Sequence, residues 1–138
     1  MNTKIYKKVH SLANDLMKAA DREDEKSFYG FYDQLQALCE ENEQDKVKNH
    51  PVQWEALADF TDDIDKALKL YEKSLDLASQ TNALDYMASI NLSMARLLLE
   101  SNQTEAATKH ATNAQIQAKN LGDNELCSDI NEFLAALS

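Results

Sequence analysis

The fold is decided by residues 65–78, which have the sequence DKALKLYEKSLDLA. Apolar and aromatic residues recur in this segment at helical spacings of three and four, and some have counterparts 39 residues away in both directions. The matching positions are Ala67, Tyr71 and Leu77, then Ala106, His110 and Ile116, and earlier Phe28, Tyr32 and Leu38. A repeat of this length carried by helical spacing indicates a chain built from stacked helical hairpins.

The composition also favours helices. The 138 residues suit one domain with a real core, and they include only two glycines and one proline, so residues for the tight turns of a sheet are scarce. We therefore predict an all-α fold, a right-handed stack of antiparallel helix pairs with about seven helices. We assign residues 1–138 to a single domain, with a divergent first pair over 1–48, a second pair over 51–82, a third over 83–122 and a capping helix over 123–138.

Local signals mark several helix boundaries. Pro51 fits the first turn of a third helix, because its missing N–H would be unpaired there anyway. Asn102 with Glu105 resembles a capping pair for the sixth helix, and Gly122 is expected to end it. Gly30 lies inside the second predicted helix, where we expect another helix to approach closely.

Residues 65–78 and 104–111 resemble the second helix of a tetratricopeptide repeat. The preceding helices support this resemblance, since WEALA at 54–58 looks like the opening of the family's first helix and INL at 90–92 like its Asn-Leu pair. The period of 39 is similar to that of the variant with longer hairpins, and residues 1–48 match only as a helical hairpin. The resemblance implies protein or peptide binding on a concave surface lined by the first helix of each pair, and it implies no catalysis.

The formal charge of −10 is unevenly distributed. Residues 1–20 sum to +3, residues 21–65 to −10 and residues 66–138 to −3. Such a field repels phosphate backbones and attracts basic proteins, so we expect a basic protein or peptide partner and no nucleic acid. The alternative is that these acids only form a solvated surface that keeps the protein soluble.

Candidate contact residues are the polar and amphipathic side chains on the predicted inner helices, together with one tyrosine outside the apolar stripe of its helix. Asn91 is the favoured residue, because an amide can hydrogen-bond a peptide backbone. Trp54 would alternatively be a core residue, and Arg96 would alternatively pair with Glu100 one turn on. The full set is Gln53, Trp54, Tyr86, Asn91, Arg96 and Tyr29.

The sequence has no pattern that predicts a catalytic, metal or cofactor site. His10, His50 and His110 are widely separated, and no Gly-rich phosphate loop is present. The acidic run over 59–65 lacks the glycine turn and the bidentate glutamate of a calcium loop, so it predicts a helix start. We expect no enzyme activity and no cofactor.

The two cysteines, Cys39 and Cys127, are 88 residues apart in helical apolar patterns, which is typical of small core residues in a reducing compartment. No segment approaches the roughly 18 apolar residues of a membrane span, so we expect a cytoplasmic protein without membrane contact. Three binding hypotheses remain open. They are a general peptide-binding module, a chaperone or immunity-type protein that masks one effector, and a structural homo-oligomer.

Overall fold

A computed structural model describes residues 3–137 of the chain. Over these residues the protein has seven α-helices and no β-strand, which confirms the predicted all-α class and the number of helices. None of these helices is long and apolar enough to cross a membrane. The helices are α1 (Thr3–Asp21), α2 (Glu25–Asn42), α3 (Pro51–Asp59), α4 (Ile64–Gln80), α5 (Leu84–Glu100), α6 (Thr104–Leu121) and α7 (Asn124–Leu137).

Two compact units divide the chain, Met1–Leu70 and Tyr71–Ser138, which we call the first and the second unit. In the first unit α1 packs against α2, and both helices pack against α3. In the second unit α6 packs against both α5 and α7. The pairs α1 with α2, α5 with α6, and α6 with α7 are each consecutive in the chain and pack on each other, which is consistent with a helical-repeat arrangement. The assignment of the whole chain to one domain stays a prediction.

The core of the first unit follows the apolar periodicity of α1. Ile5, Val9, Leu12, Leu16 and Ala19 recur at spacings of three and four, and all of them are buried. This single stripe is what a helix needs to cover one side of a core, and each fully buried leucine contributes roughly 2 kcal/mol of transfer free energy. Leu35 and Cys39 of α2 and Leu57 of α3 are also buried, and α2 and α3 are the helices that pack against α1.

The buried face of α6 consists of alanines. Ala107, Ala111, Ala114 and Ala118 are fully buried, and α6 is in extensive contact with α5. Because alanine has only one side-chain carbon, such a face allows a neighbouring helix to lie close. Ile130 of α7 joins the core at Ala114 and Ala118, with partly buried side chains around it that include Cys127.

The predicted helix boundaries are confirmed at Pro51 and Gly122. Pro51 is the first residue of α3, and the preceding His50 accepts a hydrogen bond from the backbone N–H of Val52 through Nδ1 at 3.1 Å. Gly122 ends α6 with a φ of 71°, in the left-handed region that glycine adopts without a steric penalty. The acidic run also forms a helix start, since Asp63 accepts from the backbone N–H of Lys66 at 2.9 Å.

Two local predictions are wrong. Asn102 does not cap α6, because it adopts a φ of 63° in the turn before the helix and Gln103 occupies the cap position. Gly30 is not a point of close helix approach, because it is exposed and a Cβ placed there would meet nothing within 4 Å. The glycine in α2 therefore has no packing reason to be a glycine.

The ends of four helices have the same turn. In each turn one residue adopts a left-handed conformation, with φ of 56° at Glu23, 51° at Asn82, 63° at Asn102 and 71° at Gly122. The next residue donates its backbone N–H to the carbonyl five residues back, at 2.9, 2.9, 2.9 and 3.4 Å respectively. This pair of features defines the Schellman motif, which satisfies carbonyls left over at a helix C-terminus. The turns follow α1, α4, α5 and α6.

Candidate functional site

A groove runs along the first unit between α1 and α3, the first helices of the first two predicted pairs. It encloses about 150 Å³, and we call it the α1–α3 groove. Four of its residues come from α1 and four from α3. They are Tyr6, Val9, His10 and Ala13, and Val52, Glu55, Ala56 and Asp59.

The α1 side of the groove is aromatic. Tyr6 and His10 are one helical turn apart, and their rings are stacked with centroids 5.9 Å apart and planes inclined by 10°. Tyr6 is 41% exposed, and Met17, which is 56% exposed, continues the same face of α1 beyond Ala13. Each of these four residues comes directly after a buried core residue of α1. Together they therefore form a second stripe on the helix surface, beside the core stripe.

The α3 side of the groove is acidic. Glu55 and Asp59 are four residues apart, so they are neighbours on one face of the helix, with their Cβ atoms about 6 Å apart. Val52 and Ala56 also line the groove from α3. A surface with carboxylates facing an exposed aromatic stack suits a cationic group better than an anionic or purely apolar one.

A buried hydrogen-bond network fixes the rotation of α3. The side chain of Gln53 donates to Asn49 Oδ1 at 3.2 Å and accepts from Asn42 Nδ2 at 3.1 Å. The indole N–H of Trp54 donates to the same Asn49 oxygen at 2.6 Å, and the Cys39 thiol donates to the carbonyl of Gln53 at 3.3 Å. Since Gln53 and Trp54 point inward, the residues on the opposite face of this nine-residue helix point into the groove.

The lysines of α1 lie away from the groove. Lys4, Lys7, Lys8 and Lys18 are exposed. At 3.6 residues per turn, their centre lies roughly 140° around the helix axis from the centre of the Tyr6–His10–Ala13–Met17 stripe. The positive charge of this helix therefore does not occupy the aromatic side of the groove.

The second unit has a groove with carboxylates at the start of α5 and α7, which we call the α5–α7 groove. It encloses about 310 Å³ and is lined by Asp85, Ser89, Leu121, Asp123, Glu125, Leu126 and Asp129. Two of these carboxylates have a structural role, since Asp123 accepts from the backbone N–H of Leu126 at 3.0 Å and Glu125 lies in the first turn of α7. Carboxylates at these positions stabilise a helix start without any ligand.

Asn91 belongs to a polar cluster between α5 and α6. Its amide nitrogen donates to Gln117 Oε1 at 3.0 Å, and its Oδ1 lies 2.9 Å from Nδ1 of His110. Because Oδ1 can only accept, the neutral imidazole of His110 carries its proton on Nδ1. Burial lowers the pKa of His110 below its ordinary value, although the negative charge of Glu72 acts in the opposite direction.

The predicted contact residues fall into two groups. Gln53, Trp54 and Asn91 are buried, with their polar atoms bonded inside the protein. Tyr29 and Arg96 are exposed and Tyr86 is half-buried, so these three have surface available for a partner. Tyr29 lies on α2, where its hydroxyl is 3.5 Å from a carboxylate oxygen of Asp62, and it does not line the α1–α3 groove.

Sequence reasoning missed the residues that line the α1–α3 groove, although a signal for them exists. Once Trp54 and Leu57 are assigned to the core, helical spacing assigns Glu55 and Asp59 to the other face of α3. Likewise Tyr6 and His10 follow the core positions of α1 by one residue. The signal is therefore the position of each residue around the helix axis, measured from the core stripe of the same helix.

Within residues 3–137, no three His, Cys, Asp or Glu side chains are grouped so that they could hold a metal ion. Comparison with protein-family models, curated proteins and solved structures gives no match for this chain.

Proposed function

We propose that this protein is a noncatalytic binding module whose α1–α3 groove holds a basic segment of a protein partner. The observation that carries the proposal is the pairing of an exposed aromatic stack, Tyr6 with His10, and two carboxylates, Glu55 and Asp59, on opposite sides of one groove. Aromatic rings supply large contact areas at low entropic cost, and carboxylates select cations.

The charge distribution supports a basic partner. Residues 21–65, which include α3, carry a net charge of −10. A field of this sign increases the rate at which a basic segment meets the groove, and the increase declines as salt screens it. The resemblance to tetratricopeptide repeats supports the same surface, because that family binds its ligands along the first helix of each pair.

A narrower form of the proposal is a chaperone or immunity-type protein that masks one dedicated basic effector. It differs from a general module in the number of partners and not in the chemistry of the groove. We place this activity in the cytoplasm, which is supported by the absence of a disulfide bond at Cys39 and Cys127, the two cysteines of the described residues.

Fluorescence anisotropy with labelled 15-residue peptides tests the proposal. One peptide combines leucine with lysine and arginine, and its counterpart has glutamate and aspartate at the same charged positions. We expect the basic peptide to bind and the acidic one not to bind. The affinity for the basic peptide should fall as the NaCl concentration rises about sixfold, from 50 to 300 mM. Equal binding of both peptides, or of neither, would refute the proposal.

Matched variants locate the contact. Glu55→Gln combined with Asp59→Asn removes two negative charges from the groove, and we expect the affinity to fall about tenfold. The control is Glu40→Gln combined with Glu41→Gln, which removes two exposed charges from α2. An equal loss in both variants would show that overall charge, and not the groove, holds the peptide.

Light scattering at low salt then separates partner binding from the homo-oligomer hypothesis, which requires self-association.

A further inference from the structure

We propose that the α1–α3 groove recognises an arginine side chain of the partner, with its guanidinium stacked on the Tyr6–His10 pair and hydrogen-bonded to Glu55 and Asp59. This inference rests on the proposed function, because it names the group that the groove selects. It specifies arginine over lysine, which charge attraction alone does not.

The aromatic pair offers an exposed ring face. The planes of the two stacked rings are nearly parallel, inclined by only 10°, and Tyr6, which lines the groove, is 41% exposed. A guanidinium is planar and weakly hydrated, so it stacks on such a face with less loss of hydration than a compact ammonium group.

The carboxylates match the donors of a guanidinium. Glu55 and Asp59 lie one turn apart on α3, and a guanidinium has five N–H donors distributed around its edge. A carboxylate can accept up to about four hydrogen bonds, so contacts that Glu55 and Asp59 make within the protein leave room for further donors. A lysine ammonium acts as a point charge and cannot stack while it contacts two separated carboxylates.

The rest of the groove lining suits an aliphatic stem. Its other four residues, Val9, Ala13, Val52 and Ala56, are small and apolar. The three methylene groups of an arginine can cover this surface while the charged end reaches the carboxylates. A volume of about 150 Å³ is below the roughly 300 Å³ of the smallest ordinary ligand pockets, which indicates a single side chain and not a cofactor.

A small probe tests the site without any assumption about the partner's sequence. N-acetyl-arginine amide, N-acetyl-lysine amide and N-acetyl-citrulline amide are titrated into the ¹⁵N-labelled full chain. We expect the arginine probe to shift the amide resonances of residues 6–13 and 52–59 and to bind about threefold tighter than the lysine probe, while neutral citrulline gives no localised shifts. Shifts located elsewhere, or shifts of equal size with citrulline, would overturn the inference.

Variants separate recognition from folding. Tyr6→Leu should remove the preference for arginine over lysine, and Tyr6→Phe should keep it, because phenylalanine retains the aromatic face. Tyr29→Leu replaces a tyrosine of similar exposure that does not line the groove, and it should leave the preference for arginine unchanged. A preference that survives Tyr6→Leu refutes the arginine site. If basic peptides bind with no arginine preference, the inference fails and the proposed function stands; if no basic peptide binds, the proposed function fails as well.

Discussion

Replacing Asn91 by alanine should destabilise the protein and leave peptide binding unchanged. Asn91 is only 2% exposed, and its amide makes one hydrogen bond to Gln117 and one to His110. A net hydrogen bond contributes about 1 kcal/mol, and both partners are half-buried and regain some water when the amide is removed. The two bonds together therefore predict a loss of about 2 kcal/mol in the free energy of unfolding.

Urea titration followed by far-UV circular dichroism measures this loss. For a chain of this length, about 2 kcal/mol lowers the thermal midpoint by roughly 7 °C. The matched control is Asn113→Ala, which removes the same amide from an exposed position on α6 and should change stability by less than about 0.5 kcal/mol. The binding assay with the basic peptide is repeated on both variants.

The opposite pattern would refute this reasoning. If Asn91→Ala were as stable as the natural protein and yet bound the basic peptide more weakly, the amide would be a contact with the partner and not part of the interior. The same result would restore Asn91 as the leading candidate of the sequence analysis. Equal destabilisation by Asn113→Ala would show that loss of any asparagine has this effect.

Four further outcomes are expected from urea or pH titration. Gly30→Ala should stabilise the protein by about 1 kcal/mol, since a methyl group there meets no neighbour and alanine favours the helix; no gain would refute this. Gly122→Ala should cost about 1 kcal/mol, because the residue is left-handed, and an unchanged midpoint would contradict that. Because the pKa of His110 is lowered in the folded protein, the unfolded chain binds this proton at higher pH. The contribution of His110 to the free energy of unfolding is therefore fully present above about pH 6.5 and is lost as the pH falls below it. A His110→Gln variant with the same pH profile would exclude this residue as the cause. Trp54→Phe should cost about 1 kcal/mol through loss of the bond to Asn49, whereas a neutral effect would show that the bond contributes nothing.

The all-helical fold could be predicted because its determinants are local. Two glycines and one proline in 138 residues exclude most sheet turns, and Pro51 and Gly122 mark helix ends by their own backbone chemistry. The apolar stripe of α1 could be found for the same reason, since a helical period places Ile5 and Leu16 on one face without reference to the rest of the chain.

The binding groove could be predicted only in part, because it depends on how helices are rotated against each other. The sequence predicts Gln53 and Trp54 on the inner surface, whereas the network around Asn49 directs them into the core and places Glu55 at the groove. This rotation is fixed by side chains distant in sequence, such as Asn42. The left-handed turn at Asn102 escapes prediction for a different reason, because asparagine is favoured both as a helix cap and in left-handed turns.

The Schellman turns shared by these helices have a consequence for how the chain could gain a further helical hairpin. Its left-handed residues at Asn82, Asn102 and Gly122 are spaced by 20, so the segment 83–122 begins directly after one such turn and ends with another. A copy of these forty residues inserted after Gly122 would begin and end in the same backbone conformations as the original. Duplication of a single gene segment could therefore add a complete hairpin with its turn, and no new connection would have to be invented.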